Sequence, residues 1–350
     1  MLDKTTQIYP FSTIVEPLLT WYRANKRDLP WRKNPTPYRV WVSEIMLQQT
    51  RVEAVKEYYV RFMSALPTVE DLAACEEEKL LKLWEGLGYY SRARNLQKAA
   101  KQIVREYDGD FPKDLSSLQT LAGIGSYTAG AIASIAFGAR AAAVDGNVLR
   151  VVGRLAENPT PISNVEYRKR LENQLTAAYP NMGRDSADFT QSLFELGALV
   201  CKPKTPDCKN CPLQKQCKAY QNGTQTLYPV QAEKREKRKE NVYVFLIETD
   251  EGFCLRKRES GVLKGMHEFP SHVCFDGESA QSVLNEWGVY AFTEKKRKNY
   301  RHVFTHIIWD ITCVWVRVES APFDAYALDE IEESISLPTA FAKCLDILTK

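Results

Sequence analysis

From Phe11 to about Val200, apolar residues recur every three or four positions. Val40, Ile45, Leu47 and Val52 form one such row, and Leu171, Leu175 and Tyr179 another, with short Gly- or Pro-containing breaks between rows. That spacing puts the apolar side chains on one helical face, so the stretch predicts an all-α domain. The pattern dissolves over residues 222–240, NGTQTLYPVQAEKREKRKE, where Gly, Pro and a dense charge run predict an exposed linker. Beyond it, NVYVFLIET, GFCLRKRE, VFTHIIWDI and CVWVRVE are rich in β-branched and aromatic residues and read as strands. Helical stretches are expected near Ser279–Trp287 and Thr339–Leu348. The organisation predicted is an all-α domain over 1–221, a linker over 222–240 and an α+β domain over 241–350, with no internal repeat.

Composition agrees with two domains: 350 residues, 44% hydrophobic and 26% charged, supply enough apolar material for two cores. No apolar run approaches the ~18 residues of a membrane helix, and MLDKTTQIYPF lacks the layout of a signal peptide. A soluble, cytoplasmic protein is expected. A formal net charge of +3 is too small to indicate a nucleic-acid partner by itself. Nine cysteines, an odd number unevenly spread, argue against a disulfide framework. Four of them, Cys201, Cys208, Cys211 and Cys217, follow the pattern C-x6-C-x2-C-x5-C and read as a metal site. Four thiolates suit a tetrahedral zinc or a cubane cluster, and only Cys208 and Cys211 form the close pair usual in structural zinc sites. Lys202, Lys204, Lys209, Lys215 and Lys218 around them are either phosphate-facing or simply solvated. Cys75, Cys254, Cys274, Cys313 and Cys344, scattered singly, are expected in the cores.

The segment Leu121–Gly130, LAGIGSYTAG, reads as helix, hairpin, helix. Gly123 and Gly125 let backbone N–H groups approach an anion, and Ser126 opens the next helix, a combination suited to one phosphate as well as to an ordinary helix–helix turn. Some twenty residues on, VDGNV places Asp145 at a helix start, where aspartate is already favoured as a cap. All four histidines, at 267, 272, 302 and 306, fall in the second domain, which leaves no imidazole for catalysis in the first.

Hairpin, following aspartate and cysteine spacing together resemble the helix–hairpin–helix DNA glycosylases related to endonuclease III. Trp41–Thr50, WVSEIMLQQT, resembles the segment that marks their MutY-type adenine glycosylase branch. The resemblance covers nearly the whole chain. It implies Glu44 as catalytic acid, Asp145 as catalytic aspartate, Asn147 as the residue orienting it, and Tyr127 in contact with the reacting centre. It implies an adenine pocket of Arg27, Trp31, Arg32, Leu47, Val52 and Gln191, DNA wedges at Gln49 and Tyr89, and a phosphate contact at Gly123, Gly125 and Ser126. It also implies a 4Fe-4S cluster on the four cysteines. The bifunctional relatives carry at position 127 a lysine that forms a Schiff base; Tyr127 cannot, so base removal without strand cleavage is expected.

The second domain resembles a Nudix-like module that recognises 8-oxoguanine opposite the target adenine. Phe304, Thr305 and His306 match a loop whose usual form is Phe-Ser-His, with threonine as the departure. The stretch GESAQSVLNEWG, 277–288, lacks the carboxylates of a working Nudix box. The implied partner is duplex DNA with A opposite 8-oxoguanine or G, bound by a monomer at the nucleoid. Elementary chemistry agrees with these roles. Adenine leaves poorly as an anion and must be protonated by an acid that stays neutral near pH 7, and Glu44 lies among Val42, Ile45, Met46 and Leu47, a setting that raises a carboxyl pKa. Basic runs at 234–239 and 295–298 are either phosphate contacts or solvated charge, with Asp329–Glu333 then turned away from DNA.

Overall fold

A computed structural model describes residues 9–232, 236–275 and 277–348. The chain forms two compact units. The helical one takes the residues up to Ala74 and resumes at Arg94, while Cys75–Ala93 belongs with the C-terminal residues.

Twelve helices precede the first strand among the described residues: α1 (Val15–Asn25), α2 (Pro37–Leu47), α3 (Val52–Ala65), α4 (Val69–Ala74), α5 (Glu77–Trp84), α6 (Ser91–Tyr107), α7 (Leu115–Thr120), α8 (Ser126–Ala131), α9 (Gly146–Ala156), α10 (Val165–Ala178), α11 (Arg184–Leu199) and α12 (Lys218–Gln221). Their starts follow capping chemistry. Thr36, Asp114, Asp145 and Asn164 each accept the N–H of the residue three positions on, at the heads of α2, α7, α9 and α10. One core joins α1, α9, α10 and α11 through Leu18, Val148, Val152, Leu171, Phe189 and Leu193. Helix α2 is buried continuously from Val40 to Met46, so Glu44 in its middle is taken out of water. After α8 the chain makes a π-helical turn, Ile132–Ala136. Gly130 ahead of it is obligatory, because a Cβ there would lie 2.2 Å from the carbonyl oxygen of Ala142.

The stretch read as a linker is largely structured. Arg154, only 2% exposed, donates to the carbonyls of Gln225 and Tyr228, and the Ile162 N–H donates to Val230. A buried guanidinium has five N–H donors to satisfy, and the two carbonyls of this polar segment share the one on Nε, which holds the segment on the helical unit. Lys234 and Arg235 of the basic run lie outside the described residues, and a strand already begins at Arg238.

The C-terminal unit is a mixed sheet. Its strands are β1 (Arg238–Thr249), β2 (Gly252–Lys257), β3 (His267–Glu268), β4 (Ser271–Val273), β5 (Thr293–Val303), β6 (Ile307–Arg317) and β7 (Asp324–Tyr326). The order is β3-β2-β1-β6-β5, with β4 also on β1 and β7 on β2. β1 and β6 run parallel from Arg238 opposite Ile307 to Glu248 opposite Arg317. Alternation along β1 and β6 sends side chains to two faces. Val244, Leu246, Trp309 and Ile311 pack with α14 (Leu328–Glu333) and α15 (Thr339–Ala342) through Ile331 and Phe341. Phe245, Ile247, Val314 and Val316 pack under α13 (Ala280–Glu286).

The run at 295–298, read as phosphate contacts or solvated charge, keeps Lys295 and Arg297 exposed. It lies in β5, where Lys296 Nζ donates to the Ile347 carbonyl at 3.3 Å and Lys298 Nζ pairs with Asp346 at 3.2 Å. VFTHIIWDI is not one strand: a turn at Phe304–His306 separates β5 from β6. The helix expected over Thr339–Leu348 is α15, four residues long, followed by a 3₁₀ turn at Leu345–Ile347. Of the five single cysteines, Cys254, Cys313 and Cys344 are buried, while Cys75 and Cys274 are partly exposed.

Candidate active site

A cavity of about 570 Å³ opens in the helical unit where α2, α8, α9 and α11 converge. Its wall contains Glu44, Tyr127, Asp145 and Asn147, the six residues of the expected adenine pocket (Arg27, Trp31, Arg32, Leu47, Val52 and Gln191), and Gln49. Eleven positions spread from 27 to 191 therefore meet at one place.

Glu44 is 5% exposed, and the Tyr127 hydroxyl donates to its Oε2. Burial, aided by the charge of Asp145, pushes the Glu44 carboxyl up from 4.5 to about 7 against the opposing pull of that hydrogen bond and of Arg32. Burial also drives the Tyr127 hydroxyl well above its ordinary pKa, so it stays a donor. Asp145 caps α9, with Oδ1 accepting the Val148 N–H at 2.7 Å and Oδ2 accepting from Asn147 Nδ2 at 2.8 Å. Its pKa is raised by burial too, but those hydrogen bonds favour the ionised form. The two carboxyls thus sit in different environments: Glu44 receives one hydroxyl, and Asp145 a backbone and an amide donor.

Asn147 is itself held. Arg150 Nη2 donates to Asn147 Oδ1 at 2.7 Å and to the Gly197 carbonyl at 2.9 Å, and its Nε donates to the Cys201 carbonyl at 2.7 Å. Position 197 must be glycine for this approach, since a Cβ there would stand 2.5 Å from Asn147 Cβ. Hydrogen bonds therefore run unbroken from Asp145 to the start of the cysteine loop.

Glu195 is one of the cavity residues that sequence reasoning missed. Its fully buried carboxylate accepts Arg27 Nε at 2.8 Å, Arg27 Nη2 at 2.9 Å, the Arg27 N–H at 2.9 Å and Arg32 Nη2 at 2.8 Å. Burial works to raise its pKa, but the bonds from Arg27 and Arg32 prevail and hold it at about 2. An acid in the apolar run Leu193-Phe194-Glu195-Leu196 was the available sign. Glu195→Leu strands two guanidinium groups in the cavity wall, and a loss of about 3 kcal/mol in urea denaturation is expected.

The hairpin joins α7 to α8. Gly123 has φ 74°, and a Cβ there would approach Asn95 Cβ to 2.8 Å; at Gly125 a Cβ would meet nothing within 4 Å. Ser126 Oγ donates to Glu172 Oε1 at 2.9 Å. Gln49 and Tyr89 share an uncommon backbone, φ 61° and φ 50°, in the left-handed region where a side chain costs about 1 kcal/mol or more. Tyr89 belongs to the C-terminal unit, where its hydroxyl lies 2.7 Å from Thr305 Oγ1. Phe304 packs edge-on against Trp309, while Thr305 and His306 are exposed in the turn. Cys201, Cys208, Cys211 and Cys217 line one small cavity beside Arg154, whose Nη1 lies 3.3 Å from Cys201 Sγ. Among the described residues, no three Cys, His, Asp or Glu are grouped to hold a metal ion.

Residues 42–176 match the HhH-GPD superfamily of base excision DNA repair proteins, and residues 242–346 match the NUDIX domain. The adenine DNA glycosylase of Arabidopsis thaliana is 38% identical over 83% of this chain, which spans 55% of that protein, little more than half its length. The adenine DNA glycosylase of Buchnera aphidicola (subsp. Baizongia pistaciae) is 31% identical over 95% of this chain and 96% of its own length. A solved thermostable thymine-DNA glycosylase matches 61% of this chain and 97% of its own with a TM-score of 0.55 and 29% identity. With identity sustained along nearly the whole bacterial relative and both domains matched in order, the chain belongs to the adenine DNA glycosylase family.

Proposed function

We propose that this chain removes adenine from duplex DNA in base excision repair, taking A opposite 8-oxoguanine or guanine and leaving the strand uncut. What carries the reading is Glu44, a carboxyl buried in a base-sized cavity, poised near pH 7 and facing a second carboxyl of different character. A base reaches such a cavity only by leaving the stack, at a cost of a few kcal/mol. Glu44 then protonates the adenine ring, with Tyr127 orienting its carboxyl. Arg27, Trp31, Arg32, Leu47, Val52 and Gln191 enclose the base. As the glycosidic bond lengthens, Asp145, oriented by Asn147, stabilises the cationic sugar. Gln49 fills the gap in the duplex, and the hairpin at Gly123, Gly125 and Ser126 holds a phosphate. Residues 1–221 serve as the catalytic domain and 241–350 as the module reading the opposite base through Phe304, Thr305 and His306. A monomer acting on chromosomal DNA in the cytoplasm fits this scheme.

The four cysteines fit a 4Fe-4S cluster. What supports this is the donor set: four thiols and no imidazole around one cavity. Cys201, Cys208, Cys211 and Cys217 would hold the cluster, which would tie the cysteine loop together there; Arg154 and Arg150 hold that loop from the protein side.

The test is single-turnover release of base from duplexes carrying A opposite 8-oxoguanine, A opposite G, C opposite G and thymine glycol opposite A. Release is expected from the two adenine substrates alone, faster opposite the lesion, with no borohydride-trapped adduct. Pyrimidine release with strand cleavage places the chain with the lyases, and tight lesion binding without release makes it a binding module.

A further inference from the structure

We infer that Lys82 and Glu85 form a clasp that sets the preference for the lesion by indexing Tyr89 to Thr305. The inference rests on the C-terminal unit reading the opposite base, as proposed above. Helix α5 buries Leu80, Leu81 and Trp84 and turns Lys82 and Glu85 toward residues 332–337 of the same unit. Lys82 Nζ donates to the Glu332 carbonyl at 2.6 Å and to the Ile335 carbonyl at 3.1 Å, and pairs with Glu85 Oε2 at 2.8 Å. The other carboxylate oxygen, Oε1, accepts the Leu337 N–H at 2.8 Å, and Ser336 Oγ donates to the Leu81 carbonyl at 3.1 Å. The Lys82 and Glu85 side chains are 25% and 29% exposed, so water competes only partly for these bonds.

The path from clasp to Tyr89 is four residues long and braced. Trp84 Nε1 donates to the Gly88 carbonyl at 3.1 Å, and Arg92 Nη2 donates to the carbonyls of Leu87 and Gly88 at 3.1 and 3.2 Å. The Arg92 guanidinium also lies over the rings of Trp84 and Tyr89. These bonds brace the turn that presents Tyr89, its hydroxyl against Thr305 Oγ1. When one hydroxyl donates to the other, the pair has one proton left to offer. With the Thr305 proton given to Tyr89, Thr305 Oγ1 keeps lone pairs that accept the N7–H of 8-oxoguanine, while the N7 acceptor of guanine finds no proton there, so this orientation of the pair separates the two purines. Lys82 and Glu85 act through the backbone that carries Tyr89, which makes them positioning residues.

The experiment compares adenine release by the full chain opposite 8-oxoguanine and opposite G, for wild type, Lys82→Met, Lys82→Arg and Glu85→Gln. Lys82→Met is expected to reduce the lesion preference about ten- to a hundredfold, as a small misplacement of a reading group does. Release opposite G stays within about twofold of wild type, because that substrate lacks the lesion-specific contact. Lys82→Arg, which keeps charge and donors, recovers most of the preference. Glu85→Gln, which keeps an acceptor for Leu337 but loses the ion pair, falls between, and carries the test should Lys82→Met fail to fold by its melting curve. An unchanged preference, or equal loss on both substrates, overturns the clasp. A wild-type chain that releases no adenine, or shows no lesion preference, overturns the underlying reading instead.

Discussion

Glu44→Gln is expected to slow adenine release by about a thousandfold while making the folded protein more stable than wild type above pH 7. The two effects have one cause. In the unfolded chain this carboxyl titrates near 4.5, and in the fold burial moves it to about 7. Between those values the native state holds a proton that the unfolded state has released. The group's contribution to stability is therefore complete below pH 4.5, falls as pH rises and is gone above about 7, a difference of about 3 kcal/mol. Glutamine is neutral throughout and escapes that loss, but it has no proton to give to adenine. Urea denaturation of both proteins at pH 5 and pH 8 checks the first half: a gap that opens toward pH 8 is expected, with the variant the more stable. Single-turnover release checks the second, and the wild-type rate should decline as pH passes about 7. Equal stabilities at pH 8 would mean that Glu44 ionises there without penalty and is no reserve of protons.

The sequence carried the environment of Glu44 in plain view, because its apolar neighbours are its neighbours in the chain. By its local residues Asp145 reads as a helix cap, which it is, and only the family resemblance pointed to more. The role proposed for it depends on α2 and α8 being brought beside it, and periodicity does not say which helices meet. Glu195 showed only as an acid in an apolar run, and its pairing was hidden for the same reason: its partners Arg27 and Arg32 lie 168 and 163 residues away. Strand β5 was hidden by its charge. In the outermost strand of the sheet order, TEKKRKNYRHV alternates between exposed and half-buried positions rather than between polar and apolar ones. Residues 75–93 look like any other helical stretch, and amphipathic spacing does not reveal which of two cores a helix joins.

Asp145→Asn separates chemistry from capping. Asparagine is as good an N-cap as aspartate, so its Oδ1 can still accept the Val148 N–H that Asp145 accepts at 2.7 Å. What it lacks is the charge and the second acceptor, now bonded to Asn147 Nδ2 at 2.8 Å. Losing that acceptor costs stability, but removing a carboxylate whose pKa burial has raised returns some of it, so the net change is expected within about 1 kcal/mol in urea. Turnover should nevertheless fall about a thousandfold, because no fixed negative charge remains beside the sugar as it becomes cationic. Asp145→Ala is the control: it loses the cap as well, about 1 kcal/mol more. If Asp145→Asn kept full turnover with stability unchanged, capping α9 would be the whole work of this residue; a stable, tightly binding but nearly inactive variant assigns it to the reaction.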